Sequence, residues 1–165
     1  MDAANFLYRH AQGPIYGYIS ATGLRQLLLP RLDAPPPKIP LLHSMANLTA
    51  GRLLHARLTD YFAGVQVHFD DIPLDLSSGT PFQQAVWRAA CSTPWGGTST
   101  YGALAAQLGK TVGSARAIGG ALGANPIAIV VPCHRFLAAN GDLVNYAAGL
   151  EWKRALLQLE GGMLV

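Results

Sequence analysis

The stretch Leu76-Ser77-Ser78-Gly79, running straight into Thr80-Pro81-Phe82-Gln83, constrains the fold of this chain more than any other feature. The first four residues read as a linker. The next four read as a helix start, with Thr80 as N-cap, Pro81 at the first helical position and Gln83 as the return partner of a capping box. The chain is therefore expected to divide into residues 1–78 and residues 79–165, two small modules in place of one continuous core. Charge divides at the same point. Residues 1–79 carry six Lys/Arg against six Asp/Glu and residues 80–165 six against three, so the whole net charge of +3 falls on the second half. Unequal scatter of surface charge is common, and a polyanionic partner for the second half is the other reading.

In the first module, apolar runs at Phe6–Tyr8, Ile15–Ile19 and Leu24–Leu29 are separated by Gly13-Pro14 and Ala21-Thr22-Gly23. That pattern predicts a small antiparallel meander. Pro35-Pro36-Pro37 breaks it. A helix is expected from about Leu48 to Ala63, burying Leu53, Leu54, Leu58, Tyr61 and Phe62 and stopping at Gly64, with one more strand at Val65–Phe69. In the second module, Phe82, Ala85, Val86, Ala89 and Ala90 recur at helical spacing. A short helix at Tyr101–Leu108, stopped by Gly109, and another at about Ser114–Leu122 follow. The fold class is α+β: a small antiparallel sheet with a helix, then a mainly helical domain. Its two short helices form a winged-helix-like helix-turn-helix, and a short strand leads to a cysteine. Two packed helices without a ligand would show the same pattern.

That strand is the run Ile127-Ala128-Ile129-Val130-Val131, which enters Pro132-Cys133-His134-Arg135. A thiolate is a nucleophile, and a nearby imidazole can take its proton and hold the anion at neutral pH. Neighbours on extended backbone point to opposite sides, so Cys133 and His134 can cooperate only if the chain turns here or a water bridges them. The alternative is a small buried hydrophobe. Asn140-Gly141 signals a tight turn that brings Asn145-Tyr146 back toward Cys133. The last helix, about Leu150 to Leu159, buries Trp152, Leu156 and Leu159. It delivers Glu160, which is either a solvated acid or the carboxylate that orients a histidine in a Cys-His site. Asn125 is either a helix cap or a link between the second short helix and the thiol.

Half of the 165 residues are hydrophobic, enough for a real core, yet no apolar run approaches the ~20 residues that span a bilayer. The N-terminus, with Asp2, lacks a signal-peptide pattern. Cys91 and Cys133 form neither a disulfide framework nor a CxxC site, and His10, His43, His55 and His68 show no ligand spacing, so a reducing, cytoplasmic setting and no metal are expected. The second short helix presents Ala115, Ala117, Gly119, Gly120 and Ala121, with Arg116 as its only charge. Such a helix has few groups to read base edges, and it suits sequence-independent approach from a minor groove about 6 Å wide. Arg116 can stack in the duplex when a base is pulled out, or it is a surface arginine.

Taken in order, these motifs resemble the O6-alkylguanine-DNA alkyltransferases, also called methylated-DNA-protein-cysteine methyltransferases. The resemblance covers about residues 79–162. It rests on Thr80-Pro81-Phe82-Gln83 with Val86-Trp87, Thr100-Tyr101, Ser114-Ala115-Arg116-Ala117-Ile118-Gly119, Asn125-Pro126, Val131-Pro132-Cys133-His134-Arg135, Asn145-Tyr146, and Lys153 with Leu156-Leu157 and Glu160-Gly161. It implies single-turnover repair of O6-alkylguanine, and of O4-alkylthymine, in duplex DNA after base flipping, without a cofactor and as a monomer in the cytoplasm, or the nucleus of a eukaryote. Cys133 would accept the alkyl group, and His134 and Glu160 would activate it through a bound water. Asn125 would link the recognition helix to the pocket, and Tyr146 would hydrogen-bond the departing purine. Thr100, Tyr101, Ser114, Ala115, Arg116, Gly119 and Arg135 would form the DNA-binding set, with Arg135 also supporting the site, and Trp95 and Val131 would wall the pocket.

Phe136, Ala148 and Val112-Gly113 depart from the family pattern, the first two where they bear on which alkyl groups fit. A non-catalytic alkylated-DNA-binding or regulatory helix-turn-helix protein is the alternative, disfavoured by the presence of Cys133. A Cys-His hydrolase of small molecules is a third, disfavoured by the small-residue helix.

Overall fold

The computed structural model describes residues 4–35, 38–41 and 48–162. Asp2, Pro36, Pro37 and His43 lie outside the described residues. The chain forms two compact units, one running through Ser78 and including Pro126–Ala128, the other comprising Gly79–Asn125 and the chain from Ile129 onward.

In the first unit, β1 (Phe6–His10), β2 (Gly13–Ile19) and β3 (Leu24–Leu28) form an antiparallel meander in the order β1-β2-β3. The first turn falls at Ala11-Gln12, not at the expected Gly13-Pro14, which are already paired in β2 opposite His10 and Arg9; Phe6 stands opposite Gly17 and Tyr16 opposite Leu28. Helix α1 (Leu48–Phe62) brings Leu54, Leu58 and Tyr61 into the same core as Ile15, Ile19, Leu24 and Leu27. It ends at Gly64, whose φ of 78° suits a residue without a Cβ.

The expected strand at 65–69 does not form. Val65 is 52% exposed, and the pairing beside β3 is taken instead by Leu74. There Leu24 N–H donates to Pro73 O and Asp75 N–H donates to Leu24 O. Pro126–Ala128 also belongs to this unit, although the sequence reading placed all of 79–165 in the second. Leu27 N–H donates to Pro126 O at 2.9 Å, and Ala128 N–H donates to Leu27 O at 3.0 Å.

In the second unit, α2 (Pro81–Ala90) starts on the capping box read from the sequence: Gln83 N–H donates to Thr80 Oγ1, and Thr80 N–H to Gln83 Oε1. Its buried face is Val86, Trp87 and Ala90; Ala85, expected inside, is exposed. The Trp87 indole explains Gly79, because a Cβ there would run into the ring. The same indole donates to Ala121 O at 2.8 Å and so ties α2 to α4 (Ala115–Gly123).

Helix α3 (Tyr101–Gln107) is capped by Thr100, whose Oγ1 accepts from Ala103 N–H. A short 3-10 turn at Val112–Ser114 then leads into α4. The strands β4 (Ser99–Thr100) and β5 (Phe136–Leu137) form a parallel pair, and α5 (Leu150–Leu159) buries Trp152, Lys153, Leu156 and Leu157, with Leu159 only half-buried.

The strand expected at Ile127–Val131 is also absent. Only Ile127 makes a bridge, and Ile129 has a φ of 70°, the left-handed region that a β-branched residue adopts only when its surroundings hold it there. The run is apolar because it is buried, not because it is extended: Ile127, Ile129, Val130 and Val131 are all inside. The short strand of this region, β5, follows the cysteine and does not lead to it.

Candidate active site

Pro132 (φ −83°, ψ 58°) forms a tight three-residue turn in which Cys133 N–H donates to Val131 O at 2.8 Å. The pyrrolidine ring restricts φ to this range, so proline favours the bend. A 3-10 turn at Cys133–Arg135 follows, closed by Arg135 N–H onto Pro132 O. The backbone thus turns where alternation on an extended strand would have separated Cys133 from His134.

All three side chains of that turn are buried, and α5 meets them with Glu160 at its C-cap. His134 Nε2 lies 2.7 Å from Glu160 Oε1. Arg135 donates from Nε to Oε2 at 2.9 Å and from Nη2 to Oε1 at 3.0 Å, and its Nη1 donates to Thr93 O. A carboxylate gripped by a guanidinium is ionised, so the histidine proton belongs on Nε2, facing Glu160. His134 Nδ1 is left as an acceptor with no hydrogen-bond partner among the described residues. Burial holds the His134 pKa below the usual imidazole value, with Glu160 opposing that shift, and the resting ring is neutral.

Asn125, buried at the end of α4, donates from Nδ2 to Val131 O at 2.9 Å and to Cys133 Sγ at 3.0 Å. Burial nevertheless pushes the thiol up to about 11, opposed first by the Asn125 hydrogen bond and then by the charge of Lys153. This corrects the expectation of an anion held at neutral pH: the resting site holds a protonated thiol beside a neutral imidazole. Tyr146 stands edge-on to His134, ring centroids 6.5 Å apart, and its buried hydroxyl has no partner among the described residues. Burial raises its pKa well above the usual phenol value. The turn before it forms as read, with Gly141 N–H donating to Ala138 O.

Thr100, Tyr101, Ala115, Arg116 and Gly119 line one groove of about 640 Å³. Ser114 is half-buried beside it and does not line it. A Cβ on Gly119 would come within 3.9 Å of the Tyr101 ring, and Arg116 is exposed. Arg135, expected among the DNA-contacting residues, is buried and turned inward, with each of its three nitrogens donating to Glu160 or Thr93. Val131 is fully buried and Trp95 half-buried. Phe136 is completely buried and Ala148 half-buried. A hollow of about 380 Å³ in the first unit, beside Ser20, Thr49 and Asp71, contains none of the expected residues. Among the described residues no group of three or more His, Cys, Asp or Glu side chains is placed to hold a metal ion, and no helix is long and apolar enough to cross a membrane.

Lys153 was missed as a site residue. It is fully buried on α5, donates from Nζ to Val144 O at 2.7 Å, and lies 3.4 Å from Tyr101 Oη. Burial lowers its pKa to about 8, opposed by Cys133. The available signal was its spacing: it precedes Leu156 and Glu160 by three and seven residues, on the face that α5 buries.

A family model described as the DNA-binding domain of 6-O-methylguanine DNA methyltransferase matches residues 81–162. A methylated-DNA–protein-cysteine methyltransferase of Salmonella typhimurium is 50% identical over 112 residues, covering 68% of this chain and 64% of that protein. One from Mycobacterium bovis is 53% identical over 104 residues, covering 63% and 61%. These matches span somewhat less than two thirds of those relatives' length. The crystal structure of Mycobacterium tuberculosis OGT in complex with DNA superimposes with a TM-score of 0.79 at 39% identity, covering 94% of this chain and 91% of that one.

Proposed function

From the premise that the chain belongs to the methylated-DNA–protein-cysteine methyltransferase family, we propose that it repairs duplex DNA by moving the alkyl group of O6-alkylguanine, and of O4-alkylthymine, irreversibly onto Cys133. The observation that carries this reading is a buried thiol that accepts a hydrogen bond from Asn125, next in sequence to a histidine held by a Glu160–Arg135 pair.

As the flipped nucleotide enters, the Cys133 proton passes through a water to His134, and Glu160 stabilises the imidazolium. Sulfur then attacks the alkyl carbon. The C–S bond forms as the C–O6 bond breaks, and the electron pair goes to the purine, which recovers the proton that His134 had taken and is restored to guanine within the strand. The Tyr146 hydroxyl, with no other partner among the described residues, hydrogen-bonds the departing ring. No step regenerates the thiol from its thioether, so each chain acts once.

The groove residues support the partner. Ala115 and Gly119 let α4 approach a minor groove closely and give it nothing with which to read base edges, so binding is independent of sequence. Arg116 fills the space of the extruded nucleotide, and the protein works as a monomer. Cys91 on the surface and Cys133 inside are both thiols, which suits the reducing cytoplasm.

Mixing the chain with duplex DNA carrying a labelled methyl group should place at most one label per chain, located by mass spectrometry on Cys133. Repeated turnover, or labelling that survives Cys133→Ala, would overturn the reading. Arg116→Ala should slow reaction with the duplex far more than with the free alkylated base, since only the duplex requires extrusion. Equal slowing of both would remove Arg116 from the flipping step.

A further inference from the structure

Tyr146 is placed by its backbone. Its hydroxyl makes no hydrogen bond among the described residues, so apart from the edge-on packing of its ring on His134 its position follows from how the chain on either side is held. On the C-terminal side, Gly149 N–H donates to Tyr146 O at 3.0 Å. On the N-terminal side, Asn145 has a φ of 46°, the left-handed conformation that asparagine adopts more readily than most side chains and that turns the chain into Tyr146. The peptide entering Asn145 ends in the Val144 carbonyl, and that oxygen receives two donors: Tyr101 Oη at 3.0 Å and Lys153 Nζ at 2.7 Å. An ammonium removed from water on a helix face is costly unless it meets acceptors. Here it meets this carbonyl and, at 3.4 Å, the Tyr101 hydroxyl. Tyr101 also lines the groove beside Arg116.

Resting on the alkyl-transfer reading above, we propose that Lys153 is a positioning residue: it latches the Val144 carbonyl, keeping the Tyr146 loop in place when Tyr101 turns from that carbonyl to a DNA phosphate. The carbonyl is shared in the free protein so that one donor can leave without freeing the loop. Lys153 thereby couples engagement of the DNA backbone at α3 to the group that receives the departing purine. It touches neither the alkyl carbon nor the base.

The test compares Lys153→Met, which removes the donor, with Lys153→Gln, which keeps a neutral donor. Two readouts are taken: single-turnover transfer from methylated duplex DNA, and amide hydrogen exchange across residues 138–149. Lys153→Met should slow transfer roughly tenfold or more, the loss of a hydrogen bond to a charged donor, and should speed exchange at Asn145 and Tyr146. Lys153→Gln should recover most of the rate and the slow exchange. In a Tyr146→Phe background, Lys153→Met should slow transfer no further, because the hydroxyl it places is already gone.

The latch is overturned if Gln is as slow as Met, which would assign the effect to the ammonium charge near Cys133. It is equally overturned if the Lys153 and Tyr146 effects multiply, or if exchange is unchanged in Lys153→Met. Absence of transfer by the unaltered chain would overturn the alkyl-transfer reading instead, and the exchange measurement would still decide whether Lys153 holds the loop.

Discussion

Replacing Glu160 by alanine should give a protein that is both much less stable and unable to transfer an alkyl group. Its two oxygens accept from His134 and twice from Arg135, all inside the second unit. Removing the carboxylate strands a guanidinium in the interior, a loss of about 3–5 kcal/mol where a whole domain has about 5–15. Glu160→Gln separates the fold from the chemistry, since it preserves volume and one acceptor oxygen while removing the charge that stabilises an imidazolium. Its urea midpoint should fall less than that of the alanine variant, while transfer should slow by about 10²-fold or more, the usual worth of a positioned base. A Gln variant that transfers at the unaltered rate would show that the charge is not used.

Asn125→Ala should raise the Cys133 pKa further and slow transfer by roughly ten- to a hundredfold, because it removes the first of the effects opposing burial. Below the folded value of about 11 the thiolate fraction falls tenfold for each unit of upward shift, so the variant should regain rate as the pH is raised. Titrating Cys133 with a small thiol reagent reads the midpoint directly. A midpoint that stays in place in the variant would mean that the 3.0 Å contact does not tune the sulfur. The stability linkage has a definite sign. The folded thiol lies above its ordinary 9.0, so the stability it contributes is present below about pH 9 and is lost as the pH rises through about 11.

The elements most legible in the sequence were those fixed by local chemistry. Thr80 and Gln83 satisfy orphan N–H groups at a helix start wherever that helix docks, Pro81 removes another, and Asn140-Gly141 bends the chain by its own torsional preferences; Gly13-Pro14 marked the first hairpin but stands just past its turn, already paired in β2. The segment 127–131 misled because an apolar run reports burial, and buried turns and buried strands share that composition; only the left-handed Ile129 separates them, and torsion is not written in hydropathy. Cys133 and Glu160 were identifiable by residue type. Arg135 was placed in the DNA-binding set, and also in support of the site, by resemblance alone, because a basic residue beside a candidate nucleophile suits either a ligand or an internal carboxylate; the arrival of α5 brings it the carboxylate. Lys153 was passed over as a site residue because lysine on a helix ordinarily faces water. Its acceptor, the Val144 carbonyl, is backbone and leaves no trace in side-chain pattern.

The pairing of Arg135 with Glu160 has an electrical consequence. It leaves the resting pocket with a compensated ion pair, a neutral imidazole and an uncharged sulfur, beside the Lys153 ammonium. Passing a proton from sulfur to ring separates charge without changing the total, so no counterion has to enter or leave the interior as the alkyl group moves. Added salt should therefore weaken the encounter with the phosphodiester backbone steeply while leaving the rate of the bound complex almost untouched.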